Sequence, residues 1–176
     1  MSSAADPVEA AVAGDGCERA LRELTPAELA AWRGMLRVHA ALVKALDAEL
    51  LGAHDLPLIS YEVLITLDAA PGRRRRMADV AESVLLSRSG TTRLVDRLVN
   101  KGLIAREECA DDGRGSYAVL TEYGAELLEQ ARTTHLEGVR ERFLRHFDEA
   151  ELRILATAWD RVLPGSAPLE DLSLRD

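Results

Sequence analysis

Apolar residues recur at steps of three and four over most of the chain, the spacing of one helix face. Leu29, Trp32, Leu36, His39, Val43, Leu46 and Leu50 form a narrow stripe. Thr25-Pro26-Ala27-Glu28 introduces it with a cap residue, a proline at the first helical position and a glutamate at the third. A long helix is predicted there, ending near Gly52, and so narrow a seam suits a partner helix. A second helix starts at Leu56-Pro57-Leu58, carries Val63, Leu64 and Leu67, and stops at Pro71-Gly72. Residues 77–84 form a short helical piece, and Ser87 opens another helix that ends at Lys101-Gly102. The period then changes. Residues 103–109 and 116–120 are short and β-prone around a turn-rich Asp/Gly loop, which reads as a hairpin. From Thr121 the helical period returns, with Leu128, Leu136, Val139, Phe143 and Phe147 along one side. Asp148-Glu149-Ala150-Glu151 then starts a last helix bearing Leu152, Leu155, Trp159 and Leu163. A short helix or arm is expected from Asp6-Pro7 within residues 1–24, and a flexible tail over 164–176.

A chain of 176 residues has room for one domain, or for one domain with an oligomerisation part, and for a real core. Aromatics are only 4% while alanine, leucine, glutamate and arginine abound, which leans the fold towards helix. No window nears 18 consecutive apolar residues and the N-terminus lacks a basic leader, so neither a membrane span nor export is expected and the location reads as cytoplasmic. Cys17 and Cys109 offer neither a disulfide framework nor metal spacing, and the four histidines add none, so no metal and no cofactor are expected. Nucleophile elbow, phosphate loop and paired catalytic carboxylates are also missing from the sequence, which points away from an enzyme.

A net charge of -8 argues against a polyanionic partner, but its distribution argues for one. Residues 73–101 hold eight cations against three acids, making that segment +5 and the remainder -13. Rotating about 100° per residue from Ser87 places Leu94, Val95, Leu98 and Val99 on one side of the helix. Ser89, Thr92, Arg93, Asp96 and Arg97 take the other side, with Arg88 at the N-terminal flank. A helix packed on its back and preceded by a shorter one is how a helix-turn-helix reads the major groove. Arginine donates two bonds to guanine O6 and N7, hydroxyls reach phosphates or bases, and Gly90 permits close approach. The loop tip Asp112-Gly113-Arg114 can carry a guanidinium towards a minor groove, with Asp112 orienting Arg114. Arg73, Arg74, Arg75 and Arg76 are candidates for DNA-backbone contact. Helix, turn, helix and a two-stranded wing together give a mainly α fold with a small β-wing, a winged helix-turn-helix over residues 56–120. Residues 25–55 and 121–163 then form a helical dimerisation region.

The run MADVAESVLLSRSGTTRLVDRLVNKGLIAREECADDGRGSYAVLTEYG resembles the DNA-binding core of the MarR family of bacterial transcriptional regulators. SRSGTTRLVDRLVNKGLI, the Asp-x-Arg wing at Asp112 and Arg114, and LTEYG match it in order and spacing, and the likeness extends over residues 25–163. What the resemblance implies is a homodimer with interdigitated terminal helices, binding the two halves of a pseudo-palindromic double-stranded DNA operator. A repressor released by a small-molecule effector would fit that family pattern. It also implies that the recognition-helix front comprises Ser87, Arg88, Ser89, Thr91, Thr92 and Arg93, with Arg97 further along, and that Arg114 is the wing arginine. Pro57-Leu58 departs from the pattern by replacing a Ser/Thr-type cap, the arginine run is longer than the family requires, and residues 1–24 fall outside it.

Plainer readings stand beside these. The arginine run is also what a solvated loop looks like, Arg97 can pair with Asp96 or Glu108, and Arg114 can simply solubilise a turn. His39, Trp32 and Trp159 read as core or interface packing. A winged-helix module that binds protein rather than DNA is the main rival. A redox-responsive regulator using Cys17 or Cys109 is another, although neither cysteine lies in the first long helix, where peroxide-sensing members carry theirs.

Overall fold

The computed structural model describes residues 24–83, 88–108 and 116–165, with the side chains of residues 82–89 outside that description. The contacts divide the chain into two units, residues 1–41 and 42–176. Helix α1, Pro26–His54, contributes to both. In the first unit its start is closed reciprocally: Thr25 N donates to Glu28 Oε2 at 2.7 Å, and Glu28 N donates to Thr25 Oγ1 at 3.3 Å. Trp32, Leu36, Val38 and His39 are exposed there.

In the second unit the elements run α1, α2 (Leu58–Asp68), a 3-10 turn (Pro71–Arg73), β1 (Arg74–Arg76), α3 (Met77–Ser83) and α4 (Arg88–Asn100). Then follow β2 (Ile104–Glu108), β3 (Ser116–Leu120), α5 (Glu122–Arg142), a second 3-10 turn (Leu144–His146) and α6 (Glu149–Val162). The core gathers around α2, whose Leu58, Tyr61, Val63, Leu64 and Leu67 are all buried. Leu46 and Leu50 from α1, Val80 from α3, Leu94 and Leu98 from α4, and Leu128 from α5 close over them. Each such side chain withdrawn from water contributes roughly 1.5–3 kcal/mol before entropy is counted. Leu50 therefore belongs to its own chain's core, which corrects its place in an intermolecular seam with Leu36 and Val43.

The missing cap of α2 is supplied from elsewhere. Pro57 forms no side-chain cap, and Leu58 N instead donates to Asp47 Oδ1 of α1 at 2.8 Å. A carboxylate at a helix N-terminus both satisfies an orphan donor and suits the dipole.

The sheet is three-stranded and antiparallel in the order β1-β3-β2. Arg74 pairs with Val119 and Arg76 with Tyr117 on one side of β3, while Ile104 pairs with Leu120 and Glu108 with Ser116 on the other. The hairpin thus gains a third strand, and the arginine run is not a free loop: it forms a turn and an edge strand. At the end of α4, Gly102 adopts φ 71, and Leu103 N donates back to Leu98 O at 3.0 Å, a Schellman closure. Thr121 caps α5 by accepting from Gly124 N at 2.9 Å, and its hydroxyl donates to Gly102 O at 2.7 Å.

Helix α5 stops at Arg142, earlier than the apolar spacing implies. Phe143 leaves the helical region at φ -128 and ψ -63, and the chain makes a 3-10 turn before Phe147. The two rings pack against each other at 5.1 Å, so Phe143 and Phe147 continue a contact rather than a helix face. Asp148 and Glu151 then form a full capping box at 2.8 and 2.9 Å, and α6 buries none of its residues.

Candidate nucleic-acid interface

Helix α4 is fixed from behind. Leu94, Val95 and Leu98 are each at most 1% exposed, and this leaves Thr92, Arg93, Asp96 and Arg97 facing out. The helical period produces that division directly, because four intervening positions carry the polar groups. Among the described residues neither Arg93 nor Arg97 is held in an ion pair. They line an open groove with Ile59, Gly90 and Asp96.

Two expected details change. Thr91 is 1% exposed, so its hydroxyl belongs to the packed underside of the first turn and not to the outward face. Asp96 does not pair with Arg97: its Oδ1 lies 2.8 Å from Arg106 Nη2 of β2. That pair ties the outward side of α4 to the sheet, and a partly exposed pair of this kind contributes about 0–1 kcal/mol, enough to orient more than to stabilise.

The arginine run is distributed by strand geometry. Arg73 Nε lies 3.2 Å from Asp68 Oδ1, with Glu122 Oε1 at 3.7 Å from its Nη1. Arg74 lies over the Tyr117 ring at 4.1 Å and reaches Glu107 at 3.4 Å, and Arg76 approaches the same ring at 5.7 Å. Arg75 is half-buried between them on the strand. Tyr117 and the acids thus order several guanidinium groups along one sheet edge. Sequence reasoning missed Tyr117, Arg106, Asp68 and Asp47, each of which finds its partner on a different element of the fold. Alternation in β3 was the one available signal for Tyr117, since Ala118 and Leu120 are buried and Tyr117 stands on the opposite face.

Ser87, Asp112, Arg114, Cys17 and Cys109 lie outside the described residues, as do the side chains of Arg88 and Ser89. No single helix among the described residues is long and apolar enough to cross a membrane.

Comparison with known proteins places these features in a family. Residues 54–115 match the model of the MarR family. No curated protein matches the sequence. Among solved structures, AbsC, a MarR family transcriptional regulator from Streptomyces coelicolor, is 34% identical with a TM-score of 0.76, over 80% of this chain and 95% of its own. Sco3205, a MarR family transcriptional regulator from the same organism solved in complex with DNA, is 31% identical with a TM-score of 0.77, over 85% and 97%. A mutant of Escherichia coli MarR complexed with operator DNA shares the fold at a TM-score of 0.70 and 23% identity, over 81% and 99%. With the core, the exposed arginine face and these likenesses in agreement, the chain belongs to the MarR family of transcriptional regulators, a family of regulators and not of enzymes.

Proposed function

We propose that the protein is a dimeric, sequence-specific double-stranded-DNA-binding repressor that occludes a promoter by occupying a pseudo-palindromic operator. The observation that carries this reading is the outward face of α4, where Thr92, Arg93 and Arg97 stand exposed on a helix whose back is locked into the core. Arg93 and Arg97 have the forked donors that suit guanine edges, and the arginine edge strand suits flanking phosphates. The side chains of Ser87, Arg88 and Ser89 would extend the same front, and Arg114, oriented by Asp112, would reach the adjacent minor groove. Relatives solved with DNA support the same use of the fold.

The dimer is supported by apolar surface that the single chain leaves uncovered. Ile154 is 67% exposed, Val162 78% and Leu163 65%, on or beside a helix with no fully buried residue. Trp32, Leu36 and Val43 on α1 are exposed too. Residues 25–55 and 121–163 would form the dimerisation region and residues 56–120 the DNA-binding part. Two half-sites about one helical turn, roughly 10 bp, apart would match a two-fold protein. A small-molecule effector would act by favouring a state in which the two recognition helices are mis-spaced, and its differential affinity for the two states sets how far it releases DNA. The cytoplasm is the compartment this role requires.

The test is recovery of bound genomic fragments followed by footprinting. A protected region with two-fold symmetry, lost on a scrambled duplex, is the expected result. Equal protection of scrambled DNA would make the protein a non-specific architectural binder, and no protection at all would favour the protein-interaction reading.

A further inference from the structure

Asp68, the last residue of α2, is where two arginines from distant parts of the chain meet. Its Oδ2 accepts from Arg132 Nη2 of α5 at 3.0 Å, and its Oδ1 lies 3.2 Å from Arg73 Nε. The carboxylate is only 26% exposed. Arg73 has its second contact, Glu122, on the first turn of α5, so both anchors of this bracket lead to the same helix. The backbone at Arg73 is unusual as well. It sits at φ 53 directly after Gly72 at φ 64, two successive left-handed residues that swing the chain into β1. A non-glycine residue holds that conformation when its surroundings determine it. The next residue, Arg74, opens the strand by pairing with Val119.

We propose that Asp68 is a positioning residue for the arginine strand. By binding Arg73 and Arg132 together it fixes the start of β1 against β3, presents Arg74 and Arg76, which share the outer face of the strand, to a phosphate backbone in a set arrangement, and makes α5 the element that governs them. The proposal deepens the DNA-binding reading and rests on it for its functional part. It also has a sign that simple electrostatics does not share. Deleting an acid beside a basic surface adds positive charge and by itself tightens DNA binding. Loss of a positioning group weakens binding in spite of that gained charge.

The experiment compares full-length wild type with Asp68→Asn and Asp68→Glu, and with Glu126→Gln as a variant that removes one acid from α5 elsewhere. Amide hydrogen exchange is read without DNA, and affinity for a mixed-sequence duplex of about 30 bp is read across a range of salt. For Asp68→Asn, exchange is expected to quicken in β1 and at residues 117–119 while Leu94 and Leu98 keep their protection. Affinity is expected to fall about three- to tenfold with a shallower salt dependence, Asp68→Glu recovering much of it and Glu126→Gln showing no loss. Unchanged protection of β1, or Asp68→Asn binding as tightly as wild type or more tightly, overturns the proposal. A wild type that ignores the duplex sinks the DNA reading instead, and the exchange data alone then decide whether Asp68 holds the strand.

Discussion

At the scale of single residues, Gly124 shows how closely the elements meet around the sheet. A Cβ at that position would run into the Leu103 carbonyl and come within 2.9 Å of Leu120 Cδ1. Backbone on one side leaves nothing flexible to yield. Gly124→Ala is expected to cost about 2 kcal/mol, read as a lowered denaturation midpoint, and an unchanged midpoint would show that α5 sits farther from Leu103 than described. His135 gives a second prediction. Its ring packs on Tyr61 at 4.6 Å, and burial lowers its pKa from the ordinary 6.5, with Glu49 working in the opposite direction. The groups facing it are therefore Tyr61 from α2 and Glu49 from α1, the latter held by Arg142 Nε at 2.9 Å. Because the folded state prefers the neutral ring, its stability is whole above the ordinary value and declines as pH falls through it. Denaturant midpoints measured at about pH 7.5 and pH 5.5 should drop more for wild type than for His135→Gln; equal drops would remove His135 from the account. Single residues were also where the sequence misled. Thr91 looks like one more outward hydroxyl, yet the first turn of α4 buries it, because one step of 100° near a helix end decides which side faces protein.

At the scale of elements, legibility followed the reach of the interaction. Thr25 with Glu28, and Asp148 with Glu151, were readable because a capping box is closed within four residues. Asp148→Ala should accordingly destabilise α6 by about 1 kcal/mol, seen as lost helicity on mild heating, and an unaltered helical signal would mean the cap is redundant. The front and back of α4 were readable from periodicity for the same local reason. Strand β1 was not: three identical arginines offer no alternation, and their pairing with β3 spans more than forty positions of sequence. The end of α5 was hidden differently, since Phe143 keeps helical spacing while its backbone departs. The cap that Asp47 gives α2 and the grip of Asp68 on two arginines were invisible because each joins separate elements.

At the scale of the whole molecule, basic residues and exposed apolar residues concentrate on different elements. The basic segment belongs to α4 and the sheet edge, while apolar side chains remain uncovered on α1 and α6. Covering that apolar surface with a second copy would make assembly part of stability, so sedimentation should find a dimer at micromolar concentration, and denaturation midpoints should rise with protein concentration. A folded, stable monomer would contradict this. The central claim concerns the other surface, and its most direct test is affinity for a recovered operator fragment, wild type against Arg93→Ala, over a range of salt. The account predicts binding that falls steeply with salt and a loss of about 1–3 kcal/mol in the variant with its dimer intact. Binding indifferent to salt, or an Arg93→Ala protein as tight as wild type, would contradict it.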